Sequence, residues 1–433
     1  ALVFPELLAN RNAIILDGVT VDFVSTVQPN GFVYQSAEGD EAIITFNRAT
    51  GSLFGSFKTS CGKSYGIEKC GRGHTWKEFN VAGFKADSAL ETPEKVATSL
   101  KTAELRALAA ADNVTQAAYS VMFYYTADFQ AITSDIPGFI DQVLAETNQG
   151  YVNSGVPLTV TRFCIEAATI NDIQDTNSFI TAFRTMKGSV SALRNSADAA
   201  VLLSVDFNSC GVAYLNTIGS ANTISIVQKS CALGYYSFGH EIGHNMGLTH
   251  NKEVAENPYY PHGHGHLIQA GSASTGARTI LAYNAQGHSR RINYYSNPSQ
   301  IYSVTGTALG VAGEADNVAV LLSNRFAMQG VGDETATCSD GSTSATTSGP
   351  SGGGTIGSCA NCIFPFIYLG RLHLTCTTLD GDPKPWCSTK VDSSGIHISG
   401  QNQWEHCESS SCPGMSPPGV SVNPANSPGS CCK

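Results

Sequence analysis

Residues 238–250 constrain this chain more than any other segment, because their histidines recur at a spacing that can converge on one metal ion. The segment reads FGHEIGHNMGLTH. On a helix, His240 and His244 share a face, so both imidazoles can reach the same ion. Gly247 can adopt a backbone conformation closed to other residues, so the chain can turn there and bring in His250. Three imidazoles that leave a fourth position open are typical of a catalytic zinc site.

Glu241 directly follows the first of these histidines and is placed to hydrogen-bond a water at the open position. A zinc ion makes such a water nucleophilic near neutral pH, and a carboxylate can take its proton and pass it to a leaving amine. The alternative interpretation is a buried amphipathic helix that happens to contain histidines. The added Gly247 and His250 favour the metal site. A metal site that has lost its activity is a further alternative.

The extended motif resembles that of the metzincin peptidases. Flanking residues narrow the resemblance to the adamalysin- or reprolysin-like, peptidyl-Asp-type secreted members, over about 116–332. The flanking residues that carry this resemblance are 210–214 (CGVAY) with Cys231, 278–284 (RTILAYN) and 296–298 (SNP). The resemblance implies an α/β catalytic domain, a Zn²⁺ cofactor, hydrolysis of a protein substrate, and disulfide-bonded Cys210 and Cys231.

Three positions near the motif bear on the expected activity. Leu281 occupies the place of a methionine that metzincins carry in a tight turn beneath the zinc; leucine has a similar volume and can keep that apolar floor. Asn251 follows the third ligand, where adamalysins usually have aspartate. Tyr283 matches a tyrosine that approaches the zinc or the reaction's oxyanion in astacin-like relatives, which implies a catalytic role; a packed core tyrosine is the alternative.

At 433 residues the chain is too long for one ordinary core, so we predict several domains. Short apolar runs between turn residues make the start β-rich, and alternating strands and helices follow, including a strand at 121–126 and one helix over about 176–194. The predicted order is a β-rich, propeptide-like domain (1–85), a polar, helix-friendly, exposed connector (86–115), the metzincin catalytic domain (116–334), a Gly/Ser/Thr-rich linker (335–357), a Cys-rich module (358–413) and a Pro/Ser-rich tail (414–433).

The first domain resembles the propeptides of such peptidases. Lys69-Cys70-Gly71 resembles a cysteine switch, in which a propeptide thiolate occupies the open zinc position. The alternative, which we favour, is a disulfide between Cys61 and Cys70, since a nearby partner in an oxidising compartment usually pairs. The chain retains this region, which predicts a zymogen; the alternative is a permanent domain with a scaffolding role.

Residues 359–407 resemble a fibronectin type II module. The family pairing implies Cys362–Cys387 and Cys376–Cys407, and the flanking Cys359 and Cys412 can form a third bridge. A module this small needs such disulfides because its core is small.

Type II modules commonly bind collagen or gelatin through aromatic side chains, so the resemblance implies a docking surface. Its candidates are Phe366, Tyr368, Trp386 and Trp404. The alternative is that these aromatics fill the small core of the module. Residues 391–403 look longer than the usual pattern, which bears on ligand specificity.

Composition restricts the class of partner. The formal net charge is −10 and no Lys/Arg-rich run occurs, which excludes a polyanion such as nucleic acid as the expected partner. Fourteen cysteines and the glycosylation sequon at Asn113 are typical of a secreted, extracellular glycoprotein. No apolar stretch is long enough to span a bilayer. Adjacent Cys431 and Cys432 would form a strained bridge with each other, so they predict pairing elsewhere, including with another chain.

These patterns predict a secreted zinc endopeptidase, made as a zymogen, whose module docks a collagen- or gelatin-like component of the extracellular matrix. The alternative function is a structural or adhesive assembly protein that keeps the fold without proteolysis. His262, His264 and His266 alternate along the chain and could bind a second metal, but we favour a loop that borders the cleft.

Overall fold

The structure, a computed structural model, describes residues 13–16, 19–29, 31–36, 38–47, 50–60, 62–70, 73–79, 85–90, 117–217, 222–254, 258–270, 276–328, 362, 366–368, 371–373, 386–390 and 403–407. The chain divides into two compact units, with the boundary at about residue 340. The predicted linker and tail, together with Asn113, lie outside the described residues. Among the described helices, none has the length and apolar character to cross a membrane.

The N-terminal domain is a seven-stranded antiparallel sheet whose strands neighbour one another in chain order. Its strands are β1 (Ala13–Leu16), β2 (Val19–Val27), β3 (Gly31–Gln35), β4 (Glu41–Asn47), β5 (Ser52–Lys58), β6 (Ser64–Cys70) and β7 (Gly73–Glu78). Successive side chains of a strand point to opposite faces. Ala42 and Ile44 accordingly belong to the sheet's own core, while Ile43 packs with Ala145 of the following domain. Strand β4 is apolar on both faces because one face packs in the core of its own sheet and the other packs against the following domain.

The domain that the sequence predicts to be catalytic is built on a six-stranded sheet in the order β10-β9-β11-β13-β12-β8. The strands are β8 (Ser88–Leu90), β9 (Ala117–Tyr125), β10 (Leu158–Ala167), β11 (Ala199–Ser204), β12 (Gly211–Tyr214) and β13 (Ile224–Gln228). Strands β9, β10, β11 and β13 pair in parallel, whereas β12 is antiparallel to β13. Strand β8 then pairs in parallel with β12 at the edge of the sheet.

Helices cover both faces of this sheet. They are α1 (Ala127–Ala131), α2 (Ile136–Ser154), α3 (Thr176–Thr185), α4 (Val190–Arg194), α5 (Lys229–Ala232), α6 (Ser237–Asn245) and α7 (Asn317–Met328). Alternation along β9 separates two cores: Val121 and Phe123 pack on the side of α2 and α6, and Met122 and Tyr124 on the side of α3 and α4. Both faces of a mostly parallel sheet are thereby buried, as such sheets require.

Helix α2 joins the N-terminal sheet to the catalytic domain. Asp135 caps the helix by accepting a hydrogen bond from the amide of Gly138, and Pro137 occupies its first turn. The amide of Gln142 donates to the carbonyl oxygen of Ile43 at 2.9 Å, and the rings of Phe54 and Phe139 meet edge to face. Apolar packing and a satisfied polar contact therefore hold the sheet on this helix.

The segment that follows the N-terminal sheet differs from the exposed, helix-friendly connector that the sequence predicts at 86–115. Residues Ser88–Leu90 form β8, and Asp87 is buried. Pairing with β12 satisfies the backbone groups of this segment, so tertiary context outweighs helix propensity. Residues 91–115 lie outside the described residues.

The second unit contains two short antiparallel strand pairs. They are β14 (Phe366–Tyr368) with β15 (Arg371–His373), and β16 (Trp386–Ser388) with β17 (Trp404–His406). A disulfide joins Cys362 to Cys387. Cys407 is buried and disulfide-bonded, while the predicted partner Cys376 lies outside the described residues, as do Cys359 and Cys412. A covalent link between the first residues of the module and β16 compensates for a small core.

Candidate active site

Helix α6 places two histidines of the motif side by side in the core. His240 and His244 are fully buried, and their Nε2 atoms lie 2.9 Å apart. Phe238 stacks on Phe123 of the central sheet with ring centroids 5.5 Å apart, which fixes the helix on that sheet. The four-residue spacing therefore produces the shared helical face that the sequence predicts.

A glycine turn after α6 brings the third histidine back. Gly247 has a φ of +94°, a conformation that other residues rarely adopt. An added Cβ there would also lie 2.6 Å from the ring of Tyr260, so the position is closed sterically as well. The Nε2 atom of His250 then lies 2.9 Å from that of His244 and 3.1 Å from that of His240.

Backbone carbonyls orient two of the three imidazoles. Nδ1 of His240 lies 2.8 Å from the oxygen of Ile280, and Nδ1 of His244 lies 2.9 Å from the oxygen of Leu248. A carbonyl acceptor fixes the proton on Nδ1 and leaves the Nε2 lone pair free for a metal. Burial lowers the pKa of His240 well below its usual range, so its ring is neutral. Nitrogens around a tetrahedral zinc lie about 3.3 Å apart, and the observed spacing fits a metal held at this point.

Glu241 lies beside this cluster without a partner. Its side chain is fully buried, and neither carboxylate oxygen has a hydrogen-bond partner among the described residues. Burial, reinforced by the nearby Asp87, raises the pKa of Glu241 well above its usual range. An unsatisfied buried carboxylate is unfavourable in a finished core, so its presence indicates a site that receives another group.

The residues after the motif form the floor and one wall of the site. Leu281 is fully buried, and its Cδ2 lies 3.2 Å from the point where a Cβ on Gly243 would stand, so leucine fills the position beneath the helix. The amide of Asn251 orients the next segment, since its Oδ1 accepts a hydrogen bond from the backbone N–H of Tyr283 at 2.9 Å. The half-buried ring of Tyr283 lies 3.7 Å from the ring of His250, and its hydroxyl donates to the carbonyl oxygen of Asp87.

The second histidine cluster supports the first. Nδ1 of His264 lies 2.8 Å from the carbonyl oxygen of His250, which holds the segment carrying the third motif histidine. Among the described residues, His262, His264 and His266 do not belong to any group of ligand atoms close enough to share a metal.

Sequence reasoning missed a buried carboxylate beside the site. Asp87 lies between Ser237, whose hydroxyl donates to it at 2.6 Å, and Arg291, whose Nη2 lies 2.7 Å away. Its Oδ2 is 3.8 Å from Nδ1 of His240. Nothing in the segment around Asp87 marks it as buried, because the contact joins residues 204 positions apart.

The cysteines of this domain form two kinds of bridge. Cys210 and Cys231 are joined, which ties the start of β12 to α5. Cys164, for which the sequence indicates no partner, is also disulfide-bonded, to a cysteine outside the described residues. The side chains of Cys61 and Cys70 lie outside them too, so neither the predicted disulfide nor the cysteine switch is described.

Comparisons with known proteins agree with this geometry. The chain is 30% identical over 316 residues to the peptidyl-Asp metalloendopeptidase of Stenotrophomonas maltophilia, an alignment that covers 70% of this chain and 73% of that protein. The family model of metallo-peptidase family M12 matches residues 115–296. The chain belongs to this family. It is therefore a metal-dependent endopeptidase, and the three-histidine cluster lies within the matched residues.

Further comparisons extend the family assignment. A peptidyl-Asp metalloendopeptidase from a second strain of S. maltophilia is 31% identical over 302 residues, covering 67% of this chain and 70% of that protein. The enzyme of the same name from Xanthomonas campestris pv. campestris is 34% identical over 208 residues, covering 45% and 48%. The fibronectin type II domain matches residues 362–407, so this M12 peptidase carries such a module.

Proposed function

We propose that this M12 peptidase is a zinc endopeptidase in which His240, His244 and His250 hold the ion and Glu241 is the general base. The observation that carries the proposal is the convergence of three Nε2 atoms, together with the unpaired buried carboxylate of Glu241 within 4.8 Å of a ring nitrogen of His240. A set of three imidazoles with room for a further ligand suits catalytic zinc. A purely structural role leaves the buried Glu241 carboxylate unexplained, so the adhesive alternative has less support.

Two side chains of this site act on the substrate in the proposed mechanism. When bound, zinc supplies Lewis acidity that activates water and polarises the scissile carbonyl. Glu241 accepts the proton of the attacking water and returns it to the leaving amine. Tyr283 donates its hydroxyl hydrogen to a substrate carbonyl oxygen, as it does here to the carbonyl of Asp87, and stabilises charge that develops there.

The substrate we propose is a protein cleaved at aspartyl residues outside the cell. We infer this cleavage specificity from the relatives, which are named peptidyl-Asp metalloendopeptidases. Secretion is supported by the bridges Cys210–Cys231 and Cys362–Cys387, since disulfides persist in oxidising compartments.

We also propose that the chain is a zymogen, in which residues 1–85 and the strand after them form a propeptide. In support, β8 pairs with the edge strand β12, and Asp87 lies beside His240. A peptide substrate cannot take the same place while this segment is there. Cleavage of the chain between residues 91 and 115 would separate the propeptide from the catalytic domain.

Limited proteolysis is expected to raise activity from background, because it frees the edge of β12. The measurement compares hydrolysis of an Asp-containing peptide by intact and cleaved chain, with metal content determined in parallel. A zinc chelator should abolish the activity, and zinc should restore it. Equal activity before and after cleavage would refute the zymogen, and activity that depends on another metal would refute zinc.

Among the four candidate aromatics of the type II module, the side chains of Trp386 and Trp404 are described, and we propose that Trp404 docks collagen- or gelatin-like protein. Trp404 is 43% exposed whereas Trp386 is 4% exposed, so only the first is available to a partner. We expect Trp404→Ala to weaken gelatin binding about tenfold, the usual effect of losing an aromatic contact of this kind. The full chain would be titrated on immobilised gelatin. Trp386→Ala serves as the comparison, because it should unfold the module; undiminished binding by Trp404→Ala would exclude this docking surface.

A further inference from the structure

The catalytic domain contains a buried guanidinium whose charge partner comes from the preceding segment. Arg291 lies in the short strand Arg290–Arg291, and its side chain is 2% exposed. Its Nη2 lies 2.7 Å from Oδ2 of Asp87, and Ser237 donates to Oδ1 of the same carboxylate. Within the described part of the chain, Asp87 is the only carboxylate at ion-pair distance from Arg291. An unpaired buried charge is strongly unfavourable, so this pocket is built to hold an anion.

A second guanidinium adjoins the same pocket. Arg278 is fully buried, and burial followed by the charge of Arg291 lowers the pKa of Arg278 to about 10. Arg278 also interacts electrostatically with Asp87. Two guanidinium groups of the catalytic domain thus act on one carboxylate, which favours an anionic side chain over a neutral one of the same shape.

The pocket adjoins the proposed reaction centre without covering it. The Asp87 carboxylate lies 3.8 Å from Nδ1 of His240, which is the ring nitrogen turned away from the Nε2 cluster. Oxygens of Asp87 and Glu241 and a nitrogen of His240 lie within 4.8 Å of one another. A side chain in this pocket therefore brings its own backbone next to the groups that act on a peptide bond, and Tyr283 already bonds the carbonyl of Asp87.

The segment that carries Asp87 binds as a peptide would. Ser88–Leu90 pairs with Val212–Tyr214, and the amide of Cys210 donates to the carbonyl oxygen of Ala86 at 3.1 Å. In strand addition, backbone hydrogen bonds supply affinity and side-chain pockets supply specificity. Here the backbone of the segment extends the sheet, and the side chain of Asp87 enters the cationic pocket.

We propose that Arg291 and Ser237 form the pocket that recognises the aspartyl side chain of a substrate, and that Asp87 is its intramolecular occupant in the intact chain. The proposal rests on the proposed peptidase function. A purely structural ion pair between the propeptide and the catalytic domain would explain the contact between Asp87 and Arg291. It would not make binding of a separate peptide depend on a carboxylate.

The test measures peptide binding without turnover, in chain that carries Glu241→Gln and has been cleaved between residues 91 and 115, so that a peptide can displace the segment that holds Asp87. The probes are a fluorescent peptide with one Asp and a twin with Asn at that place, followed by anisotropy. With Asp87 intact, both should bind weakly. With Asp87→Ala, the Asp peptide should bind about 10- to 100-fold tighter than the twin, the range for a hydrogen bond to a charged group. Adding Arg291→Gln should reduce that ratio below about threefold, and Arg291→Lys should keep part of it.

Control variants keep this test decisive. Asp87→Asn preserves the shape and hydrogen bonding of the occupant, so it should fold if Asp87→Ala does not, and it should give the same preference with a smaller gain in affinity. Three outcomes would overturn the proposal. They are no binding of either peptide by both Asp87 variants, equal binding of the two peptides, and a preference for the Asp peptide that survives Arg291→Gln. If the Asp peptide is preferred but the cleaved chain with Glu241 intact does not hydrolyse it, the peptidase function is refuted and the pocket is retained. If that chain hydrolyses the peptides but binding shows no preference for Asp, the pocket is refuted and the peptidase function is retained.

Discussion

Replacing Glu241 with glutamine is expected to lower kcat/KM about 10²- to 10⁴-fold while the metal stays bound, which is the usual contribution of a general base. Both oxygens of Glu241 are buried without a hydrogen-bond partner among the described residues, and one lies within 4.8 Å of a ring nitrogen of His240, so Glu241 is placed to take a proton from water at the site. Glutamine has the same size and shape, so packing is retained. Kinetics on an Asp-containing peptide and metal analysis of the same preparation measure the two quantities.

A ligand variant separates loss of the base from loss of the metal. His244→Gln removes one of three converging nitrogens and should lose metal together with activity. Glu241→Gln should lose activity alone. Activity of Glu241→Gln within tenfold of the wild type would assign the base to another group, and loss of its metal would give Glu241 a structural role instead.

The histidine cluster could be predicted from sequence because its geometry is local. His240 and His244 share a helical face, and a single glycine turn returns His250, so spacing along the chain determines spacing in space. Helix α2 was predictable for the same reason, since Asp135 and Pro137 mark its start. In each case the deciding contacts lie within about a dozen residues.

The Asp87 pocket could not be predicted, because its contacts are distant in sequence. From sequence alone, Asp87 is expected to be exposed because it follows a polar stretch. Arg291 is expected to lie on the surface because it belongs to a pair of adjacent arginines. The two meet only because β8 adds to the edge of β12, a pairing between segments more than 120 residues apart. Tertiary pairing of this kind leaves no periodic signal in either segment.

A glycine caused one smaller discrepancy in the predicted helices. The sequence predicts one helix over about 176–194, and the structure has α3 and α4 with a break between them. Gly188 has a φ of +81°, and Ser189 caps the second helix by accepting from the amide of Ala192. Gly188 is a typical residue at the end of a helix, and Ser189 is a typical cap at the start of the next. The break between α3 and α4 could therefore have been predicted from the sequence.

Replacing Gly211 with alanine is expected to reduce kcat/KM about 100-fold with little loss of stability, since misplacing a catalytic group by roughly 1 Å has an effect of this size. A Cβ on Gly211 would lie 2.3 Å from Oε1 of Glu241 and 2.6 Å from its Cγ. The group in conflict is the end of a flexible side chain rather than backbone, so Glu241 can move while the fold persists. Kinetics, metal content and thermal unfolding would be measured together.

Gly313→Ala provides the opposite case for comparison. Gly313 has a φ of +75° with nothing within 4 Å of an added Cβ, so alanine there strains the backbone without touching the site. It should lower the free energy of unfolding by about 1 kcal/mol and leave kcat/KM unchanged. If Gly211→Ala lost activity only in proportion to lost stability, as a general loosening of the fold would cause, Gly211 would not position Glu241. Activity that falls while unfolding is unchanged would identify the bare backbone of β12 as part of what holds the base in place.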